Sequence, residues 1–209
     1  MKLQGIFVSV ATPFNHRGEI WPIKVEHNVA KWNRTGVAGY VVNGVASENA
    51  ALSSHEQTHM FDLVSKHAAP EKLVVAAADL PELIGKVPGI APGALIARVP
   101  GGLCQCDADF ASSLASGAPG IVSAIANAAP YTMISIWEAH RTRDTEAAAD
   151  WQNRIAKAVE IINGPNGIAA LKYAMDVNGY YGGPPRLPLT VLTPGEKQEV
   201  EQAFAGIKG

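Results

Sequence analysis

Five short stretches of the chain are almost continuously apolar and rich in Val, Ile and Ala: GIFVSVAT (5–12), AGYVVNG (38–44), KLVVAAAD (72–79), ALIARV (94–99) and GIVSAIAN (120–127). Runs this short, without the alternation of a half-exposed strand, predict strands covered on both faces, as in a parallel sheet. Between several of them apolar positions recur at helical spacing. Trp21-Pro22 opens one such segment, with Ile23, Val25, Val29 and Trp32 along it and Gly36 as its stop signal. Ser53 opens a second, with Glu56 three residues on in capping-box spacing and Met60, Leu63 and Val64 on one face. The order strand, helix, strand, helix, strand predicts an α/β fold built on a parallel sheet.

The last third changes character. Residues 130–163 read as helix, with Trp151, Ile155, Ala158, Val159 and Ile162 at helical spacing and Gly164-Pro165 as the stop. A shorter helix is expected at 167–178, ending at Gly179, and the following GYYGGPPRLPL is too rich in Gly and Pro for regular structure. Thr193-Pro194-Gly195-Glu196 then caps a final helix, with Pro at its first position and Glu at N3. The expected division is an α/β body over residues 1–144 and a helical extension over 145–209. Between 80 and 103, Pro81, Pro88-Gly89, Pro92-Gly93 and Pro100-Gly101-Gly102 leave room only for helices of one or two turns.

Composition narrows the function classes. A chain of 209 residues that is 47% hydrophobic and 17% charged buries a substantial core and lies far from disordered compositions. A net charge of -2 supplies no basic field for nucleic acid or an anionic membrane, so neither is an expected partner. The start MKLQGIFVSVATPF lacks the longer apolar region and cleavage site of a signal peptide, and no segment approaches the roughly 18 apolar residues of a membrane span. The expected location is the cytoplasm. Cys104 and Cys106 are separated by one residue, which strains a bridge between them and supplies too few ligands for structural zinc, so they are expected as free thiols.

Several stretches, in order, resemble one family. GIFVSVATPF near the start is similar to the TPF strand of the dihydrodipicolinate synthase / N-acetylneuraminate lyase family, and GVAGYVVNGVASENAALSSHEQ (36–57) to its G-[ST]-[TN]-G-E loop followed by L-[ST]-x-x-E. DADFASSLASGAPGIVSAIAN (107–127) follows its seventh and eighth strands, and GYYGGPPRLPL (179–189) resembles the C-terminal segment of hydroxy-oxoglutarate aldolase-like members. The resemblance implies a (β/α) TIM-type barrel with a C-terminal helical extension, a homo-oligomer, and class I aldolase chemistry on pyruvate or another 2-oxo acid. A lysine Schiff base is the electron sink in that chemistry, and no metal or organic cofactor takes part. Length implies that the barrel is incomplete. A body ending near residue 144 leaves about 18 residues for each of eight units, against roughly 30 in a whole barrel, so five or six units are expected.

The shortfall lies where the family keeps its chemistry. None of Tyr40, Tyr131, Tyr173, Tyr180 and Tyr181 stands in the family's Y-N-x-P context. The nearest echo of its G-[IM]-K lysine is Leu83-Ile84-Gly85-Lys86, so Lys86 is the candidate nucleophile, against the alternative of a solvated side chain on a short helix. The substrate-binding candidates carried over by resemblance are Thr12 of the TPF strand, Val45, Ala46 and Ser47 of the carboxylate loop, and Asp107. Val45-Ala46 replace the family's paired hydroxyls, Ser47 replaces Gly, and Glu48 is retained. The backbone N–H groups of Val45 and Ala46 remain available for an anion. Asp107 stands where sialic-acid lyases contact substrate hydroxyls, and equally where it would cap the helix that begins with Phe110. Two functions follow: a working or residual lyase with Lys86 as nucleophile, and a non-catalytic, deletion-derived member that binds or assembles.

His55-Glu56-Gln57-Thr58-His59 also matches the zinc-protease pattern H-E-x-x-H. The extended pattern needs Gly and His where Asp62 and Ser65 stand, and the remaining acidic candidates are Asp79, which ends a predicted strand, and Glu82. His55 would lie in a first helical turn, where the helix dipole disfavours added positive charge. The segment is therefore expected to be a capped, solvated helix without metal.

Overall fold

The computed structural model describes residues 3–77 and 103–207. Four strands form one parallel sheet: β1 (Gly5–Ser9), β2 (Gly39–Val42), β3 (Leu73–Ala76) and β4 (Gly120–Ser123), in the order β3-β2-β1-β4. The register places Phe7 beside Gly39 and Val122, and Tyr40 beside Val74. An isolated parallel bridge from Cys104 to Ile121 continues the sheet past β4. The expected strand at 94–99, Asp79, Glu82 and Lys86 lie outside the described residues.

Side-chain alternation separates the two faces. Ile6, Val8, Tyr40, Val42 and Ile121 pack into one large core with the helices. Phe7, Val41 and Val75, one residue out of phase, form a second cluster with Val122 and Leu103 on the opposite face. Val25, Val29 and Trp32 after β1, Met60, Phe61 and Val64 after β2, and Met133 and Ile136 after β4 all belong to the first core. Helices on one face of a parallel sheet, with β1 beside the last strand, are the arrangement of a TIM-type barrel rather than of a doubly wound sheet, whose helices cover both faces. Among the described residues the sheet stays open, with β3 and the Cys104 bridge as its edges.

Local signals account for the helices. In α1 (Pro22–Asn33) Pro22 occupies the first turn, and Val25, Val29 and Trp32 form the buried stripe. In α2 (Ser54–His67) the capping box is complete: Glu56 N donates to Ser53 Oγ at 3.3 Å and Ser53 N to Glu56 Oε2 at 2.9 Å. Ser53→Ala removes one half of this exchange and is expected to lower stability by about 1 kcal/mol, read as a small drop in the thermal midpoint.

α3 (Phe110–Ala115) follows a single 3-10 turn at Asp107–Asp109. The expected helix over 130–163 is in fact two, α4 (Pro130–Arg141) and α5 (Thr145–Ile162). Arg143 adopts a left-handed conformation with φ 63°, which ends α4, and Asp144 restarts the helix by accepting the Ala147 N–H at 2.9 Å. α6 (Gly167–Val177) and α7 (Pro194–Phe204) complete the chain, with Thr193 and Glu196 forming a second capping box. Among the described residues, no helix is long and apolar enough to cross a membrane.

The segment after α6 is irregular, as its Gly and Pro content predicts, and it is pinned to the body. Asn28 on α1 donates from Nδ2 to Tyr181 O and accepts from Tyr181 N, both at 2.8 Å. Gly182 passes so close over α6 that a Cβ there would lie 2.0 Å from Lys172 O, so only glycine fits.

Candidate active site at the carboxyl ends of the strands

Ser9 ends β1 and Asn43 follows β2 directly, and by alternation these positions fall on the face of Phe7 and Val41. Together with Ala77, Asp107, Val122 and Ala124 they line a cavity of about 940 Å³ at the carboxyl ends of the strands. Ligand sites in barrels of this type lie on that side. The outer wall comes from the extension: Ile168 and Leu171 of α6, and Arg186 to Leu189 of the irregular segment. Among the described residues, neither a lysine nor a tyrosine lines it.

The loop after β2 forms the cavity's other wall. Asn43 turns the chain in a left-handed conformation (φ 63°), a 3-10 turn follows at Val45–Ser47, and Glu48 is again left-handed (φ 57°, ψ 37°) before a second 3-10 turn at Asn49–Ala51. Left-handed residues other than glycine cost about 1–2 kcal/mol each, so the loop needs external holds. Thr12 Oγ1 donates to Ser47 O at 2.7 Å, and Ser47 Oγ donates to Gly44 O at 2.6 Å. Thr12 and Ser47 are both buried and stand behind the loop, while Ala46 and Asp107 line the cavity. Sequence-predicted residues therefore divide between the cavity wall and its support.

A further hold on the loop is a buried ion pair between Glu48 and a lysine that lies outside the family-like stretches. The Glu48 carboxylate is buried, and its Oε1 accepts from Lys172 Nζ at 2.5 Å, with both side chains 1% exposed. Lys172 Nζ also donates to Pro184 O at 2.9 Å and sits 4.5 Å from the centre of the Phe14 ring. Burial pulls the Lys172 pKa below the usual lysine range, with the Glu48 carboxylate opposing it. The second Glu48 oxygen accepts from Arg186 N at 2.7 Å.

The Arg186 guanidinium donates to Gly18 O, to Ala51 O at 2.7 Å, and to both oxygens of Glu56, at 2.6 and 3.1 Å. Its hydrogen bonds to Glu56 are the main reason that carboxyl is drawn down to about 2. Glu56 thus closes its helix cap and anchors the extension at once. A lysine on the apolar face of a short helix, with Leu171, Ala174 and Met175 around it, is the sequence signal that marks Lys172.

Asp107 does not cap the helix at Phe110, contrary to that sequence expectation. α3 has Asp109 at its N-cap position, without a side-chain cap bond. The Asp107 carboxylate reaches instead to the turn after β4, accepting from Ser123 Oγ at 2.5 Å, Ala124 N at 3.1 Å and Ile125 N at 3.3 Å. The free N–H groups at the start of the 3-10 turn Ile125–Asn127 draw it there. Both of its oxygens are engaged.

Burial outweighs these hydrogen bonds and pushes its carboxyl up from 3.8 to about 6. A raised carboxyl binds its proton more tightly when folded, so its contribution to stability is complete below about pH 4 and lost as pH rises through 6. Asp107→Asn is expected to remove that loss, so its stability relative to the parent rises by about 3 kcal/mol between pH 4 and pH 7 in urea titrations.

His55 and His59 stack with ring centres 6.5 Å apart on α2, and among the described residues no group of three or more His, Cys, Asp or Glu side chains could hold a metal ion. Cys104 and Cys106 are free, with Cys104 Sγ turned to the backbone of Cys106.

Comparison with known proteins agrees with the architecture. The profile of the dihydrodipicolinate synthetase family matches residues 2–79 and 101–206. Similar solved structures include a dihydrodipicolinate synthase from Bacillus anthracis (TM-score 0.85, 16% identity, 100% of each chain covered). Another is an N-acetylneuraminate lyase from Aliivibrio salmonicida (TM-score 0.83, 17% identity, 100% of this chain and 99% of that one). At such identities the likeness speaks to the fold alone.

Among curated proteins, an uncharacterized DapA-like lyase of Halobacterium salinarum is 30% identical over 105 residues, covering 50% of this chain and 34% of that protein. A 4-hydroxy-tetrahydrodipicolinate synthase of an Exiguobacterium species is 28% identical over 102 residues, covering 47% and 35%. The matches thus span about a third of these curated relatives' length.

Proposed function

The chain belongs to the dihydrodipicolinate synthetase family, and from that membership we propose that it is a carbon–carbon lyase or aldolase acting on pyruvate or another 2-oxo acid through a lysine Schiff base. The observation that carries this reading is the cavity of about 940 Å³ at the carboxyl ends of the strands, walled by the loop that stands where relatives carry G-[ST]-[TN]-G-E. In this reading the substrate carboxylate is held by the backbone N–H groups of Val45 and Ala46, the donors that the loop retains without the family's hydroxyls. Thr12 and Ser47 support that loop, and Asp107 borders the substrate's far end. The amine of Lys86 adds to the keto carbon and water leaves. The protonated imine then accepts the electron pair released as the adjacent C–C bond breaks, and returns it when the bond forms.

The body at 1–144 thus supplies the chemistry and the extension at 145–209 closes its cavity. Family membership is likewise the ground for proposing a homo-oligomer. The family match omits residues 80–100, which favours a second reading, a non-catalytic member that binds or assembles.

A retro-aldol assay with 4-hydroxy-2-oxo acids, coupled to pyruvate reduction, separates the two. The lyase reading expects turnover that falls at least about a hundredfold in Lys86→Met, as loss of a covalent nucleophile does. Absence of turnover favours the second, and turnover unchanged in Lys86→Met would remove Lys86 as the nucleophile.

A further inference from the structure

We propose that Lys172 and Arg186 are positioning residues for the cavity loop at 44–51, so that docking of the helical extension and binding of a ligand in the cavity are one coupled event. The proposal rests on the 2-oxo acid reading of that cavity. Glu48 borders the cavity, and because its side chain is only 1% exposed, the surface it offers is mainly backbone. Its left-handed conformation is one that few residues hold unaided. Within the loop Ala51 N donates to Glu48 O at 2.8 Å, and the Glu48 carboxylate is held from the extension, by Lys172 Nζ on one oxygen and Arg186 N on the other.

Three residues further on, Arg186 also grips Ala51 O, and through Gly18 O and Glu56 it ties that point to the α2 cap and to the chain before α1. Both ends of the segment Glu48 to Ala51 are therefore fixed by side chains more than a hundred residues away. The barrel itself contributes the Thr12 bond at Ser47 and two bonds from Gln57, to Asn49 O at 3.4 Å and Leu52 O at 3.2 Å. Coupling is reciprocal, so a ligand that needs the loop in this shape tightens the extension by the same factor.

Arg186→Lys tests this without burying an unpaired charge: it keeps the backbone N–H on Glu48 and the positive charge but loses the fork that reaches three partners at once. Amide hydrogen exchange is followed with and without pyruvate, together with pyruvate affinity by calorimetry. The expected result is exchange at 44–51 faster by about tenfold or more in the variant, with α1 and α4 unchanged, because the opening is local. Pyruvate affinity falls by about tenfold, and pyruvate slows exchange at 44–51 and 184–189 together in the parent protein.

Unchanged exchange at 44–51 overturns the proposal, and so does an unchanged pyruvate affinity beside a loosened loop. A parent protein indifferent to pyruvate, with the loop loosened in the variant, instead refutes the 2-oxo acid reading and leaves the positioning role standing. The double variant Glu48→Gln, Lys172→Met, which carries no buried charge, is expected to match Arg186→Lys in both measurements. Loop exchange and affinity like the parent's in that folded variant would also refute the proposal.

Discussion

Lys172→Met is expected to cost about 3–5 kcal/mol of folding stability, seen as a large drop in the urea midpoint with little change in slope. Lys172 and Glu48 are both fully buried, and removal of the cation leaves a carboxylate in a low-dielectric site with only Arg186 N as partner. The cost comes from the charge left behind more than from the bond that is lost. Glu48→Gln added to Lys172→Met should therefore restore much of the stability, whereas either change alone does not. Additive losses in the double variant would mean that the two residues act independently.

Trp32→Ala is expected to cost a further independent amount of about 3–5 kcal/mol in the same titration. Its ring is fully buried, stacks on Tyr180 at 5.7 Å and meets Tyr40 at 6.0 Å, while Nε1 donates to Asn127 O at 3.2 Å. One side chain thus joins α1, β2, the turn after β4 and the extension. Trp32→Phe keeps most of the apolar contact and gives up the Asn127 bond, so it should lose about 1–3 kcal/mol, between parent and alanine. A loss below about 1 kcal/mol in Trp32→Ala would show that these four elements do not share one core.

Where a signal is local, the sequence carries it. The apolar runs at 5–12, 38–44, 72–79 and 120–127 each contain a described strand, because strands covered on both faces have no polar positions to interrupt the run. Ser53-x-x-Glu56 and Thr193-x-x-Glu196 mark helix starts because the chemistry that satisfies the first N–H groups is contained in four residues. The break at 142–144 is not legible, since Arg143 carries no preference for a left-handed conformation that its neighbours would betray.

The site divides in the same way. Ala46 and Asp107 line the cavity from positions a motif can mark. Lys172 and Arg186 act on its loop only through the packing of the extension, across distances in sequence that no local pattern spans. The sequence leaves Asp107 open between a helix cap and a site residue, because the donors that hold its carboxylate lie 16 to 18 residues on.

Reduction of the protein with borohydride in the presence of pyruvate, followed by peptide mass mapping, tests the Schiff-base lyase most directly. The expected product is one reduced pyruvate adduct per chain, on the peptide that contains Lys86, and absent in Lys86→Met. A protein that carries no adduct on any lysine at saturating pyruvate would contradict it.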